Sequence, residues 1–142
     1  MIKKIVKIEH SATADDSVQL AWYDLQKPHL SAVTKKGVSF ALKQTHLHSG
    51  DILVAEDGYK IEVIIEKAQL YIFLFQDAAL FAASAYRIGN RHQPIAIRDM
   101  KITALDDPAI ADIVEALSKD ESVCVTKEFG VFHPNVHAPH TH

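Results

Sequence analysis

Two glycine-centred turns, Lys35-Lys36-Gly37 and Asp57-Gly58, constrain the first half of the chain more than any other feature. Glycine at such a position supplies the positive φ that a tight hairpin loop needs. The flanking residues alternate: Val38, Phe40 and Leu42 follow the first turn, and Tyr59, Ile61, Val63 and Ile65 follow the second. A period of two lays each set on one face of a strand. The opening stretch MIKKIVKIEH repeats the pattern, with Ile2, Val6 and Ile8 at even positions. Several short strands with turns at this spacing predict a small β sandwich or barrel over residues 1–69.

The second half reads differently. AQLYIFLFQ is a nearly continuous apolar run, expected to form a strand buried on both faces. Asp77 follows as a helix cap, and Phe81, Ala85 and Ile88 recur at helical spacing. Gly89 is expected to end that helix in the left-handed conformation. QPIAI and KITAL read as strands, and Asp107-Pro108 as a second helix start, a capping carboxylate followed by proline. Ile110, Ile113, Val114 and Leu117 then form an amphipathic stripe, and SVCVTKEFGVF closes as a strand. The order β-α-β-β-α-β predicts a ferredoxin-like domain over residues 70–132. Residues 133–142 remain as a flexible His-rich tail, so the whole chain is expected to be α+β.

Composition narrows the functional classes. A chain of 142 residues with 48% apolar content can bury a core, as one ordinary domain or two small ones. Its net charge of −3, with both signs interspersed, argues against nucleic acid as a partner. The single cysteine, Cys124, rules out an internal disulfide, and its place between Val123 and Val125 reads as a buried small apolar residue. No apolar run is long enough for a membrane span, and the start lacks a secretory pattern, so the cytoplasm is the expected compartment. A Gly-rich phosphate loop, a serine nucleophile elbow and a Cys-His dyad signature are all missing, so no catalytic residue and no enzymatic activity is expected.

Histidine is the unusual component. There are nine, and His133, His137, His140 and His142 fall in the final ten residues, HPNVHAPHTH. Another, His92, stands just beyond the first helix in YRIGNRH. One imidazole cannot hold a divalent ion, because Zn(II) takes about four ligands and Ni(II) about four to six. Two-fold pairing of identical chains would bring two copies of a residue near the axis together. A tethered tail could fill the remaining positions at a high effective concentration. Imidazole suits nickel, copper and zinc alike.

YRIGNRHQP after an Ala-rich helix resembles the signature of the urease accessory protein UreE family. HLHSGDILVAEDGYKIEV resembles that family's β segment, and the histidine-bearing end fits as well. The resemblance implies a nickel metallochaperone with a partner-binding β domain and a ferredoxin-like metal-binding domain that dimerises. It implies Ni(II) as cargo, with Zn(II) or Cu(II) able to bind too. His92 would be the ligand contributed by both protomers of a homodimer, and His133, His137, His140 and His142 form the region that adds ligands. The implied partners are apo-urease and its accessory proteins, including a GTPase, with no membrane involved. An alternative is a protein-binding module of the same assembly whose tail only buffers metal.

Two departures from the family pattern matter. The tail is short and broken by Pro134 and Pro139, so storage of many ions is not expected; roughly one or two per dimer is. DMKITALDD carries no His-x-His pair, so no peripheral site is expected there. The other residues read structurally. Asn90 would bond the loop backbone, and Arg91 would sit favourably at the negative end of the helix dipole. His10, His29, His46 and His48 are scattered over the β half; His46 and His48 would form a weak accessory site only on a strand, and QTHLHSGD reads as a loop. Asp15-Asp16 and Asp106-Asp107 read as turn and cap chemistry.

Overall fold

The computed structural model describes residues 1–10, 13–43 and 46–136. Two compact units divide the chain, Met1–Glu66 and Lys67–His142. The break falls a few residues before the expected 69/70, because the first strand of the second unit already begins at Ala68.

The first unit contains β1 (Lys3–Glu9), β2 (Asp16–Leu20), β3 (His29–Val33), β4 (Ser39–Lys43), β5 (Ile52–Ala55) and β6 (Lys60–Ile65). They form one sheet in the order β2-β6-β5-β1-β4-β3. Both glycine turns form as the sequence dictates. Gly37 (φ +85°) closes the antiparallel β3–β4 hairpin, and Gly58 (φ +87°) closes β5–β6. The alternation places Phe40, Leu42, Ile61, Val63 and Ile65 inside. The sheet is nearly closed: Lys35 N–H, in the β3–β4 turn, donates to Ser17 O of the opposite edge strand at 2.8 Å.

Strand β1 departs from the expected alternation. Its pairing with β5 shifts register between Ile5 and Lys7. A bulge inserts one residue and flips the faces beyond it. Ile2 and Val6 are therefore exposed, while Ile5 and Ile8 are half-buried. Strand β2 and the 3-10 turn Trp22–Gln26 have no counterpart in the sequence reading.

In the second unit, β7 (Ala68–Phe75), α1 (Ala78–Asn90), β8 (Ile95–Arg98), β9 (Lys101–Leu105), α2 (Ala111–Ser118) and β10 (Val123–Gly130) follow one another. The sheet order is β10-β7-β9-β8, and every neighbouring pair is antiparallel. Strand β9 thus lies between β7 and β8, which α1 connects. Asp77 caps α1, accepting from Ala79 N–H at 3.4 Å and Leu80 N–H at 3.2 Å. Asp107 accepts from Ala109 N–H at 2.8 Å and opens the 3-10 turn Pro108–Ile110, which runs into α2. The core gathers Phe73, Phe75, Ile88, Ile102, Ile113 and Leu117 among others. Truncating Ile113 to alanine there would cost about 3 kcal/mol.

Strand β7 is not buried on both faces. Leu74 is 49% exposed, and Cys124, its partner across the β7–β10 ladder, is exposed too. Alternation explains this. Val123 is buried, so residue 124 must point the other way.

Candidate metal centre

Helix α1 delivers His92, but by a route the glycine did not indicate. Gly89 stays inside the helix, which runs to Asn90. Arg91 is the C-cap, and His92 itself takes the left-handed conformation at φ +58°. Its N–H donates to Gly89 O at 2.9 Å, as Arg91 N–H does to Ile88 O at 3.0 Å. These bonds satisfy helix-end carbonyls. A non-glycine residue at this φ pays a steric cost, although histidine tolerates it better than most. The His92 side chain is exposed.

Arg91 holds this corner in place. Its guanidinium bridges Asp112 in two parallel bonds, Nη1 to Oδ1 at 2.8 Å and Nη2 to Oδ2 at 2.9 Å. Nη1 also donates to Ala109 O at 2.7 Å. The fork geometry ties the end of α1 to the start of α2 and fixes the residue next to His92. The Arg91 guanidinium beside Asp112 holds that carboxyl far below the ordinary 3.8. A carboxyl depressed in the folded state stabilises the fold above its unfolded value, and the effect is lost as pH falls through the folded value. Arg91→Gln is therefore expected to be less stable than wild type above about pH 4 and to unfold at higher pH on acidification, with the difference in stability fading as pH falls further. Circular dichroism across an acid titration measures it; superposed curves would show the pair to be inert.

The segment after β10 reaches the opposite edge of the sheet. Val136 forms an antiparallel bridge with Ile95 in edge strand β8. Ile95 N–H donates to Val136 O at 2.8 Å, and Val136 N–H donates to Ile95 O at 3.0 Å. The Asn135 side chain extends the bridge: Ile97 N–H donates to its Oδ1, and its Nδ2 donates to Ile97 O, both at 2.8 Å. The tail is thus docked through Val136 rather than free from residue 133. His133 is exposed in the segment that leads there. His137, His140 and His142 lie outside the described residues.

The remaining histidines belong to the first unit. His10 Nδ1 lies 3.1 Å from Oδ1 of the buried Asp51, and His48 Nδ1 lies 4.0 Å from its Oδ2. Asp51 also accepts from His48 N–H at 2.8 Å, securing the turn into β5. The His46 ring meets His48 edge-on at 4.5 Å, in a loop rather than a strand. His29 is exposed at the start of β3. Among the described residues, no three His, Cys, Asp or Glu side chains come together as a metal-holding group.

Comparison with known proteins decides the family. The family model of the UreE urease accessory protein N-terminal domain matches residues 1–66, and that of the C-terminal domain matches residues 65–142. The chain belongs to the UreE urease accessory protein family. A UreE from Aliarcobacter butzleri is 47% identical over 144 residues, covering 100% of this chain and 97% of that protein. A UreE from Dechloromonas aromatica is 34% identical over 112 residues, 73% of this chain and 64% of its own length. One from Paraburkholderia xenovorans is 32% identical over 104 residues, 71% of this chain and 46% of its own. All three are named urease accessory proteins, as are both matching family models. The two UreE domain matches meet where the structure divides. Among the described residues, no helix is long and apolar enough to cross a membrane.

Asn135 is the residue that sequence reasoning missed. HPNVH carried a weak signal: proline at 134 fixes its own φ and keeps His133 extended, a conformation that can lead to a sheet edge.

Proposed function

We propose that this chain captures Ni(II) between two copies of His92 in a homodimer and passes it to apo-urease during assembly of the urease metallocentre. The carrying observation is His92 itself, exposed and held in a left-handed turn that Arg91 pins against α2. One imidazole is too few for Ni(II), so a second protomer and the tail supply the rest, from among His133, His137, His140 and His142. A shell shared between two chains and completed by further imidazoles can surrender ligands one at a time to an acceptor, which delivery requires. Zn(II) and Cu(II) would compete, and copper binds imidazole at least as well by the Irving–Williams order.

The second unit is best classed as a ferredoxin-like domain, on its element order and its β10-β7-β9-β8 sheet. The first unit is the docking module for the urease assembly partners, among them a GTPase. Exposed Met1, Ile2 and Val6 on and beside β1 support that role. The work is cytoplasmic, and no catalysis is involved.

Calorimetry of His92→Ala with Ni(II) tests this reading. Wild type should bind one ion per two chains, and the variant should bind at least about 100-fold more weakly. Tight binding retained at the same stoichiometry would end the proposal.

A further inference from the structure

Strand β3 ends the first sheet, and its outer side is open. Thr34 N–H donates to Val38 O at 2.9 Å, so in the β3–β4 register Leu30, Ala32 and Thr34 turn their backbone groups toward β4. The same alternation turns the N–H and C=O of His29, Ser31 and Val33 the other way. The opposite end strand, β2, does not pair with β3. Among the described residues, the bond from Lys35 N–H to Ser17 O at 2.8 Å is the one backbone bond that crosses the gap. A cleft of about 430 Å³ lies there, lined by Ser17, Gln19, Val33, Thr34, Lys35 and Ile64. Its apolar members are accessible: Val33 is 60% exposed and Ile64 37%. The hairpin is also basic. Residues 27–43 carry Lys27, Lys35, Lys36 and Lys43 and no acid, in a chain whose net charge is −3. All four lysines are exposed, and among the described residues only Lys27 has a carboxylate partner, Asp24.

Edge and charge together select the occupant. A row of outward peptide groups is a template for another strand. A second copy of this hairpin would bring its own lysines against these, and like charges across a strand pair are destabilising. A nucleic acid would meet the lysines but has no peptide groups to match the edge. An acidic extended peptide satisfies both. We infer that the β3 edge takes an extended acidic segment of a protein partner as an added strand, with one apolar side chain of that segment seated between Val33 and Ile64. This rests on the reading of the first unit as a docking module, and names the chemistry that the module recognises. Main-chain bonds to His29, Ser31 and Val33 supply affinity, while the cleft and the lysines supply selectivity.

The test uses the full chain and short end-blocked peptides. One alternates glutamate with valine, a second has lysine in place of glutamate, and a third is the glutamate peptide with every backbone N–H methylated. Single-stranded DNA is the nucleic-acid arm. NMR titration reads affinity, and hydrogen exchange at the Ser31 and Val33 amides reports strand addition. The glutamate peptide should slow both amides and bind at least about tenfold more tightly than the lysine or methylated peptide, with the advantage over lysine shrinking as salt rises. Ser31→Pro removes an outward N–H at an edge position, where proline is tolerated, and should abolish the effect. Lys35→Glu leaves the edge intact and should narrow the preference for glutamate over lysine. Unchanged exchange at Ser31 and Val33, equal affinity for the glutamate and lysine peptides, binding that survives methylation, or tighter binding of DNA would overturn the inference. So would protection of the same amides on raising the protein concentration alone, which would assign the edge to a second copy. Failure of the docking-module reading shows separately, as wild type that binds the glutamate peptide but does not associate with the apo-urease assembly complex in size-exclusion chromatography.

Discussion

Replacing His92 with glycine is expected to make the protein more stable and leave it unable to capture nickel. The residue sits at φ +58°, where a Cβ crowds the backbone and glycine does not. Relief of that strain, less the larger entropy of the unfolded glycine chain, should leave a net gain of about 0.5–1 kcal/mol. The exposed imidazole has little packing to lose. Nickel affinity should fall at least about 100-fold, as for the alanine variant. Alanine keeps a Cβ at the same φ and should show no gain in stability. The comparison of glycine with alanine by thermal unfolding therefore isolates the backbone cost of keeping histidine there. A melting temperature for His92→Gly below that of wild type would mean that the side chain is needed for the turn.

Removing the Asp16 carboxylate is expected to cost the first unit about 3 kcal/mol of stability, for Asp16→Ala. Asp16 is only 7% exposed and sits where three segments meet. It accepts from the Thr34 hydroxyl, from Ser17 N–H at 2.8 Å, from Tyr59 Oη at 2.9 Å and from Lys36 N–H at 3.2 Å. Those donors come from β2, from the β3–β4 turn and from the β5–β6 turn, so one carboxylate ties the two ends of the nearly closed sheet. Alanine would strand several of them. Burial pushes the carboxyl up, but Thr34, Ser17, Tyr59 and Lys36 together outweigh it and hold the group below the ordinary 3.8. Its stabilisation is therefore present above that value and is lost as pH falls through the lower, folded one. Urea unfolding at neutral pH measures the effect. A midpoint within error of wild type would show that water replaces the carboxylate without loss.

Local chemistry was legible in the sequence, and long-range pairing was not. Gly37 and Gly58 mark hairpins because positive φ is a property of the residue and its immediate neighbours. Asp77 and Asp107 mark helix starts for the same reason, since a cap reaches only two or three residues ahead. Strand β2 escaped because its partner is β6, in a parallel pair of Asp16 with Ile61 that no turn announces. The bulge that turns Val6 outward depends on how β5 meets β1. Cys124 was misassigned because alternation fixes which residues share a face and not which face is covered.

The end of α1 shows the same division within the candidate site. Glycine is the default left-handed residue, which made Gly89 the natural helix stop. The actual stop depends on Arg91 finding Asp112 and Ala109 some twenty residues away, and it moves the left-handed position to His92. Asn135 was invisible for a like reason, since its partner Ile97 precedes it by 38 residues. His92 as a candidate ligand came from the motif; the turn that presents it did not.

Native mass spectrometry of the nickel-loaded protein tests the central claim most directly, because it reads chains and ions in one assembly. The account predicts one tightly held Ni(II) for every two chains, and none tightly held when His92 is alanine in both. A tightly bound ion on each single chain, or an unchanged nickel-loaded dimer without His92, would contradict it.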